Sequence, residues 1–313
     1  MEAGTDTTGL LAASRAMRAA SPVFIVGEAR SGTSILYRTL QKHPSFRPRT
    51  PNLVETDVFS HLRRTFLFTP TYPPNLVHFM LDDRDAFGAF LRAIRPLRVL
   101  SAILAPVNYV LRDRARWLGY VNLNHLVLRT YFFHAWRARG CLRLVEKTPT
   151  NTRHLPELAR TFPDARFLYI HRHPVDVFTS YRRRAAVDPH GWWADLNLDE
   201  FCRIYADRSA RALAWRDAGH NNLLLVPYER LTADPAQTFR EVCGFLDEPF
   251  DPEAVEERAA DPDRWPVDPH LWGRIVQRTK RWQDYLTDEE AAELQTRLSA
   301  TMSALGYAAY PTP

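Results

Sequence analysis

The chain has 313 residues, 45% of them hydrophobic, and a formal charge of +5, enough apolar material for a real core in one large or two small α/β domains. No run approaches the ~20 apolar residues of a membrane-spanning helix, and residues 1–20 lack a signal peptide's apolar centre, so a frayed tail should precede a single domain over residues 21–313. Only Lys42, Lys147 and Lys280 are lysines among 41 basic residues; without a dense basic arm the charge favours a small anionic ligand over nucleic acid, and three cysteines in no metal-like spacing fit a reducing, cytoplasmic setting.

The first element organises the rest. The uninterrupted apolar run Val23 to Val26 reads as a strand covered on both faces, and Ile35, Leu36 and Leu40 recur at helical spacing after Thr33. Between them Gly27 and Gly32 permit a tight turn whose N–H groups can converge on an anion at the helix N-terminus. The glycine spacing is that of the nucleotide-binding P-loop, but position 33 is Thr where that motif requires Lys, and the loop's one cation is Arg30. A phosphate cradle and an ordinary strand-turn-helix junction are both open at this point.

The proline-punctuated stretch His43 to Asn52 cannot be helical and delivers Glu55 among apolar neighbours, either a surface acid or a general base. Residues 60–140 are rich in arginine and aromatics and should form a mainly helical insertion, a lid or wall over the site. Within it, the uncharged run Val99 to Leu111 is flanked by Arg92, Arg95, Arg98, Arg112, Arg114 and Arg116. It reads as a helical pair packed on the sheet or as an apolar hairpin that rests on an anionic membrane surface or forms a greasy channel. Tyr131, Phe132, Phe133, Trp192 and Trp193 are candidates for a sugar or aromatic pocket or for core.

Strands are expected at Leu142 to Pro149, with Lys147 at the carboxyl end where ligands of open parallel sheets bind, at Arg166 to His171, and at Asn222 to Pro227. Helices should run from Thr152 to Phe162, from Pro174 through Ser180 and Arg184, and over residues 198–217. Asp251 to Pro269 should be an irregular loop. Thr287 and Glu290 make a capping box for a last helix to about Leu305. Alternating strands and helices predict a P-loop-like parallel sheet of four to five strands with helices on both faces.

Taken together, Gly27 to Ser34, Glu146-Lys147-Thr148-Pro149, and Phe167 to Asp176 followed by Ser180 resemble the sulfotransferases that use 3'-phosphoadenosine-5'-phosphosulfate (PAPS). The likeness is to the bacterial and Golgi-type branch with tyrosylprotein and carbohydrate enzymes, and runs from about Pro22 to Leu286. The resemblance implies that Arg30, Ser31, Gly32, Thr33 and Ser34 hold the 5'-phosphosulfate, and that Arg172, Ser180 and, by analogy with the tyrosylprotein branch, Arg184 hold the 3'-phosphate. It implies Glu55 as general base, with His43, His154 and His173 as substitutes, and Arg30 and Lys147 as electrostatic stabilisers, with no metal. Tyr228-Glu229 matches a family segment in motif form and is assigned a structural role. The glycine-rich donor signature of cytosolic enzymes is absent; Arg278 and Lys280 stand in its place. The acceptor would be a hydroxyl or amine on a small molecule, glycan or lipid, with peripheral contact to the inner membrane face if hydrophobic. A degenerate P-loop kinase and a non-catalytic nucleotide-binding or membrane-peripheral scaffold are the alternatives.

Overall fold

The computed structural model describes residues 16, 21–48, 55, 88–95, 120–256, 275 and 282–311. Arg278, Lys280, most of the 91–117 segment and most of the loop expected after Asp251 lie outside the described residues.

Among the described residues, four parallel strands form one sheet in the order β2-β1-β3-β4. These are β1 (Val23–Gly27), β2 (Val145–Lys147), β3 (Arg166–His171) and β4 (Leu223–Pro227). The β3 and β4 strands pair in parallel from Phe167 opposite Leu223 to His171 opposite Pro227. The order departs from sequence order because parallel neighbours need crossover connections, and here these are helical. Helices among the described residues include α1 (Thr33–Lys42), α2 (Tyr120–Arg139), α3 (Leu155–Thr161), α4 (Pro174–Val187), α5 (Leu198–Asp217), α6 (Tyr228–Ala233), α7 (Pro235–Phe245), α8 (Asp288–Arg297) and α9 (Ser299–Ala304). This is the expected P-loop-like α/β architecture.

The chain divides into two compact units. One comprises Met1–Phe24, Pro44–Thr148 and Pro156–Arg166. Its described core is an aromatic cluster in which Phe24 of β1, Phe132 of α2 and Phe162 meet with centroids 5.3 to 5.7 Å apart, the offset arrangement that aromatic quadrupoles favour. Tyr131 and Phe132 are buried there; they are core, whereas Trp192, in the other unit, is exposed. The β2 strand is shorter than expected: Leu142 is exposed and lies with Arg143 in a bend, and only from Leu144, whose carbonyl accepts the Val23 amide at 2.9 Å, does the chain join β1.

The second unit comprises Ile25–His43, Pro149–Leu155 and Phe167–Pro313. Pro174 opens α4 at a position where its missing N–H costs nothing. Asn197 caps α5 by accepting from the Glu200 amide at 2.8 Å. Phe178 of α4 stacks on Phe201 of α5 at 4.9 Å. Two boundaries differ from expectation. The stretch from Pro149 to His154 is a 3-10 helix, because the Thr152 hydroxyl bonds the Pro149 carbonyl at 2.9 Å and receives the Gly27 amide at 3.0 Å, holding the backbone in a tighter turn. The capping box of Thr287 and Glu290 is formed, but the last helix breaks at Leu298 into α8 and α9. Among the described residues no helix is long and apolar enough to cross a membrane. All three cysteines are free thiols, with Cys202 and Cys243 buried.

Candidate active site

The loop after β1 is shaped by two glycines that no other residue could replace. Gly27 has φ 149°, and a Cβ there would sit 2.3 Å from the Ile170 carbonyl oxygen. Gly32 has φ 99°, and its Cβ would meet the Tyr228 ring at 2.5 Å. Both are contacts that real side chains never make, in a backbone region that favours glycine. Between them Arg30 is also left-handed, at φ 71°, a conformation that costs a non-glycine residue about 1 kcal/mol. Ser31 donates its amide to the Glu28 carbonyl at 3.2 Å, closing the turn.

Gly32 is the N-cap of α1, with no side-chain cap and no acidic residue in the first turn. The first-turn amides of a helix have no intrahelical acceptor and carry the positive end of the helix dipole. Beside them the Ser31 hydroxyl is fully buried and finds no hydrogen-bond partner among the described residues. Buried polar groups are nearly always satisfied. An uncapped helix start, a buried orphan hydroxyl and a cation in one turn are together suited to an oxyanion.

The loop's cation reaches across to α4, where Arg30 Nε donates to Ser180 Oγ at 3.2 Å. Ser180 is thus bonded to Arg30. Arg172, just past β3, lies over the Tyr228 ring at 4.4 Å and faces Asp176 at 3.6 Å, and its buried Nε is unpartnered among the described residues. Arg184 is engaged elsewhere: it pairs with Asp188 at 3.2 Å and stacks over Trp193 at 4.7 Å.

Several residues that support the loop were not foreseen. Glu28 is buried inside the glycine bracket and accepts from the Tyr181 hydroxyl at 2.7 Å, from Arg208 of α5 at 2.5 Å and from the Ala29 amide at 3.1 Å. Burial pushes its carboxyl above the usual range, opposed by the Arg208 charge. The loop is therefore strutted from beneath by α4 and α5. Glu229, read as structural, accepts the His173 amide at 2.9 Å and the Tyr307 hydroxyl at 2.9 Å. His43 and His173 are buried against the carbonyls of Pro249 and Ala308, and burial lowers the His173 imidazole below its ordinary range.

In the first unit, Lys147 closes β2 with its side chain 5% exposed and forms an ion pair with Glu55, which is 48% exposed. The structure thus pairs the two residues that the resemblance names as base and stabiliser. The adjacent Glu146 is buried and accepts from the Thr148 hydroxyl.

Known proteins with related sequences and folds bear on this geometry. The sulfotransferase domain of the curacin biosynthetic pathway superposes with a TM-score of 0.54 at 18% identity, over 93% of this chain and 99% of that one. The sulfotransferase domain of the olefin synthase of Synechococcus PCC 7002 gives 0.52 at 20% identity, over 93% and 95%. At such identities the likeness is one of fold. An uncharacterized protein of Aquifex aeolicus (strain VF5) is 23% identical over 151 residues, 46% of this chain and 20% of the relative, so the matched stretch spans about a fifth of that curated relative's length. The profile of the sulfotransferase family matches residues 22–252, a span that contains the glycine-bracketed loop, Lys147, Arg172 and Ser180, and the chain belongs to the sulfotransferase family.

Proposed function

We propose that this sulfotransferase takes its sulfuryl group from PAPS and passes it to a hydroxyl or amine of a small-molecule acceptor. The observation that carries the donor assignment is the unsatisfied, fully buried Ser31 hydroxyl beside the uncapped start of α1. The Ser31 hydroxyl and the amides of Gly32, Thr33 and Ser34 would bind the 5'-phosphosulfate, and Arg172 with Ser180 the 3'-phosphate, by charge-assisted hydrogen bonds. Arg184 sits one turn beyond Ser180 and, held by Asp188 and Trp193, would flank that phosphate. Arg278 and Lys280 remain donor candidates on the resemblance alone.

PAPS supplies the activated sulfuryl group when bound. A sulfuryl group carries less charge than a terminal phosphate, which is consistent with a loop that has Thr33 in place of the P-loop lysine. Arg30 and Lys147 would stabilise charge that develops on the bridging oxygen during transfer. Glu55 would take the acceptor's proton on Oε2, the oxygen that does not face Lys147 in their ion pair. A glycan or lipid acceptor is the finer form of the reading.

The donor is tested by thermal denaturation. The product nucleotide 3'-phosphoadenosine-5'-phosphate binds only the folded state and should raise the melting temperature, whereas magnesium-ATP should do much less. Incubation with radiolabelled PAPS and panels of phenols, sugars and lipids should label at least one acceptor. Equal stabilisation by ATP would replace the donor assignment with the kinase alternative.

A further inference from the structure

The structure assigns Tyr310 as a positioning residue for donor binding: its hydroxyl engages Asp176 and so leaves the Arg172 guanidinium open to a phosphate. The inference rests on the reading of Arg172 as a ligand of the donor's 3'-phosphate and adds to it the device that keeps Arg172 available.

After α9 the chain turns at Gly306 and lies against the carboxyl end of β3. Tyr307 accepts from His171 Nδ1 at 2.8 Å and donates to Glu229 at 2.9 Å. The Ala308 carbonyl meets His173 Nε2 at 3.1 Å. The Tyr310 ring stacks on the His173 imidazole at 3.8 Å with planes 13° apart. Gln295 of α8 pairs with both the amide and the carbonyl of Tyr310. The backbone is thus held by Gln295 and the ring by His173, and the hydroxyl donates to Asp176 Oδ2 at 3.0 Å.

That same oxygen faces Arg172 Nη2 at 3.6 Å, one helical turn back. At 3.6 Å the two form a long ion pair and not a hydrogen bond. Asp176 and Arg172 are both largely shielded, with side chains 20% and 15% exposed, so solvent would screen a direct pair poorly and such a pair would compete strongly with an incoming anion. By donating a hydrogen bond to Asp176, Tyr310 weakens that competition. Arg172 is left resting on the Tyr228 ring with its Nε unpartnered. Burial and the neighbouring Asp176 charge both hold the Tyr310 phenol well above its ordinary range, so it stays a donor.

Isothermal titration of 3'-phosphoadenosine-5'-phosphate and of adenosine 5'-monophosphate, which lacks the 3'-phosphate, tests this. Tyr310→Phe keeps the ring on His173 and should weaken the first nucleotide about 10-fold, the scale of a hydrogen bond to a charged group, and leave the second unchanged. Adding Asp176→Asn should recover most of the loss, because the competing charge is gone. Equal weakening of both nucleotides, or no recovery in the double variant, would overturn the inference and leave a merely structural tail. If Arg172→Ala weakens binding and Tyr310→Phe does not, the donor reading stands and this inference falls. If Arg172→Ala has no effect, both fall.

Discussion

Arg30 Nε donates to Ser180 Oγ at 3.2 Å across 150 positions of sequence, tying the left-handed corner of the glycine-bracketed loop to the second turn of α4. The residue that makes this bond is itself held at φ 71°, so its identity works against backbone preference. Arg30→Gly should therefore leave stability unchanged or improve it by up to about 1 kcal/mol while transfer from PAPS falls about 100-fold. Chemical denaturation and initial rates measure the two effects separately. A large stability loss with a normal rate would make Arg30 a structural residue.

The Glu28 and Arg208 pair beneath the loop makes a second prediction. Arg208→Ala leaves a carboxylate buried without its cation, a change that costs about 3 to 5 kcal/mol. The Glu28 carboxyl is already raised by burial, and losing Arg208 would raise it further. A carboxyl whose folded pKa exceeds its unfolded one loses stability as pH climbs through the folded value. The Arg208→Ala deficit should therefore be larger at pH 8 than at pH 5. Adding Glu28→Gln should restore part of it, a non-additivity expected of residues in contact. Urea midpoints at the two pH values decide it, and a deficit independent of pH would argue against a buried charge.

Local chemistry explains which features could be read ahead. The limits of β3 and α5 follow from an unbroken apolar run and from an Asn cap with amphipathic spacing, and both are as expected. Gly27 and Gly32 could be placed because a turn of that shape admits nothing else. Thr152 could not, since its hydroxyl serves Gly27 from 125 positions away and no periodicity records that. The same holds for Arg208 under Glu28 and Tyr310 on Asp176, contacts separated by 180 and 134 positions. The Arg184 pairing was legible in principle, because Asp188 stands at the i,i+4 spacing of a helical ion pair.

His171 titrates in the opposite sense to Glu28. Burial lowers its imidazole from the ordinary 6.5 to about 4, and Tyr307 accepts its Nδ1 proton. A histidine that resists protonation in the folded state contributes full stability above pH 6.5, and that contribution is lost as pH falls from 6.5 towards 4. The loss should approach about 3 kcal/mol. His171→Gln should flatten the stability profile across this window relative to the parent chain, measured by urea denaturation at half-unit pH steps. Identical profiles would mean that other groups dominate acid unfolding.

Glu55 and Lys147 make the last prediction. Lys147 is almost fully buried and Glu55 half exposed, so solvent screens the pair from the Glu55 side and it should add under about 1 kcal/mol to stability. Its value would lie in chemistry: the lysine holds one carboxylate oxygen and leaves the other to take a proton. Glu55→Gln keeps the shape and a hydrogen-bond acceptor for Lys147 but cannot act as a base. Turnover should drop by about 100-fold or more, while the thermal shift produced by 3'-phosphoadenosine-5'-phosphate stays near that of the parent. Lys147→Ala should reduce turnover and also weaken the nucleotide shift if Lys147 has the stabilising role that the resemblance implies. The two variants are thus separable by one binding measurement beside one rate measurement. Full turnover in Glu55→Gln would move the base to a histidine; with His43 and His173 buried against backbone carbonyls, His154 would be the residue to replace next.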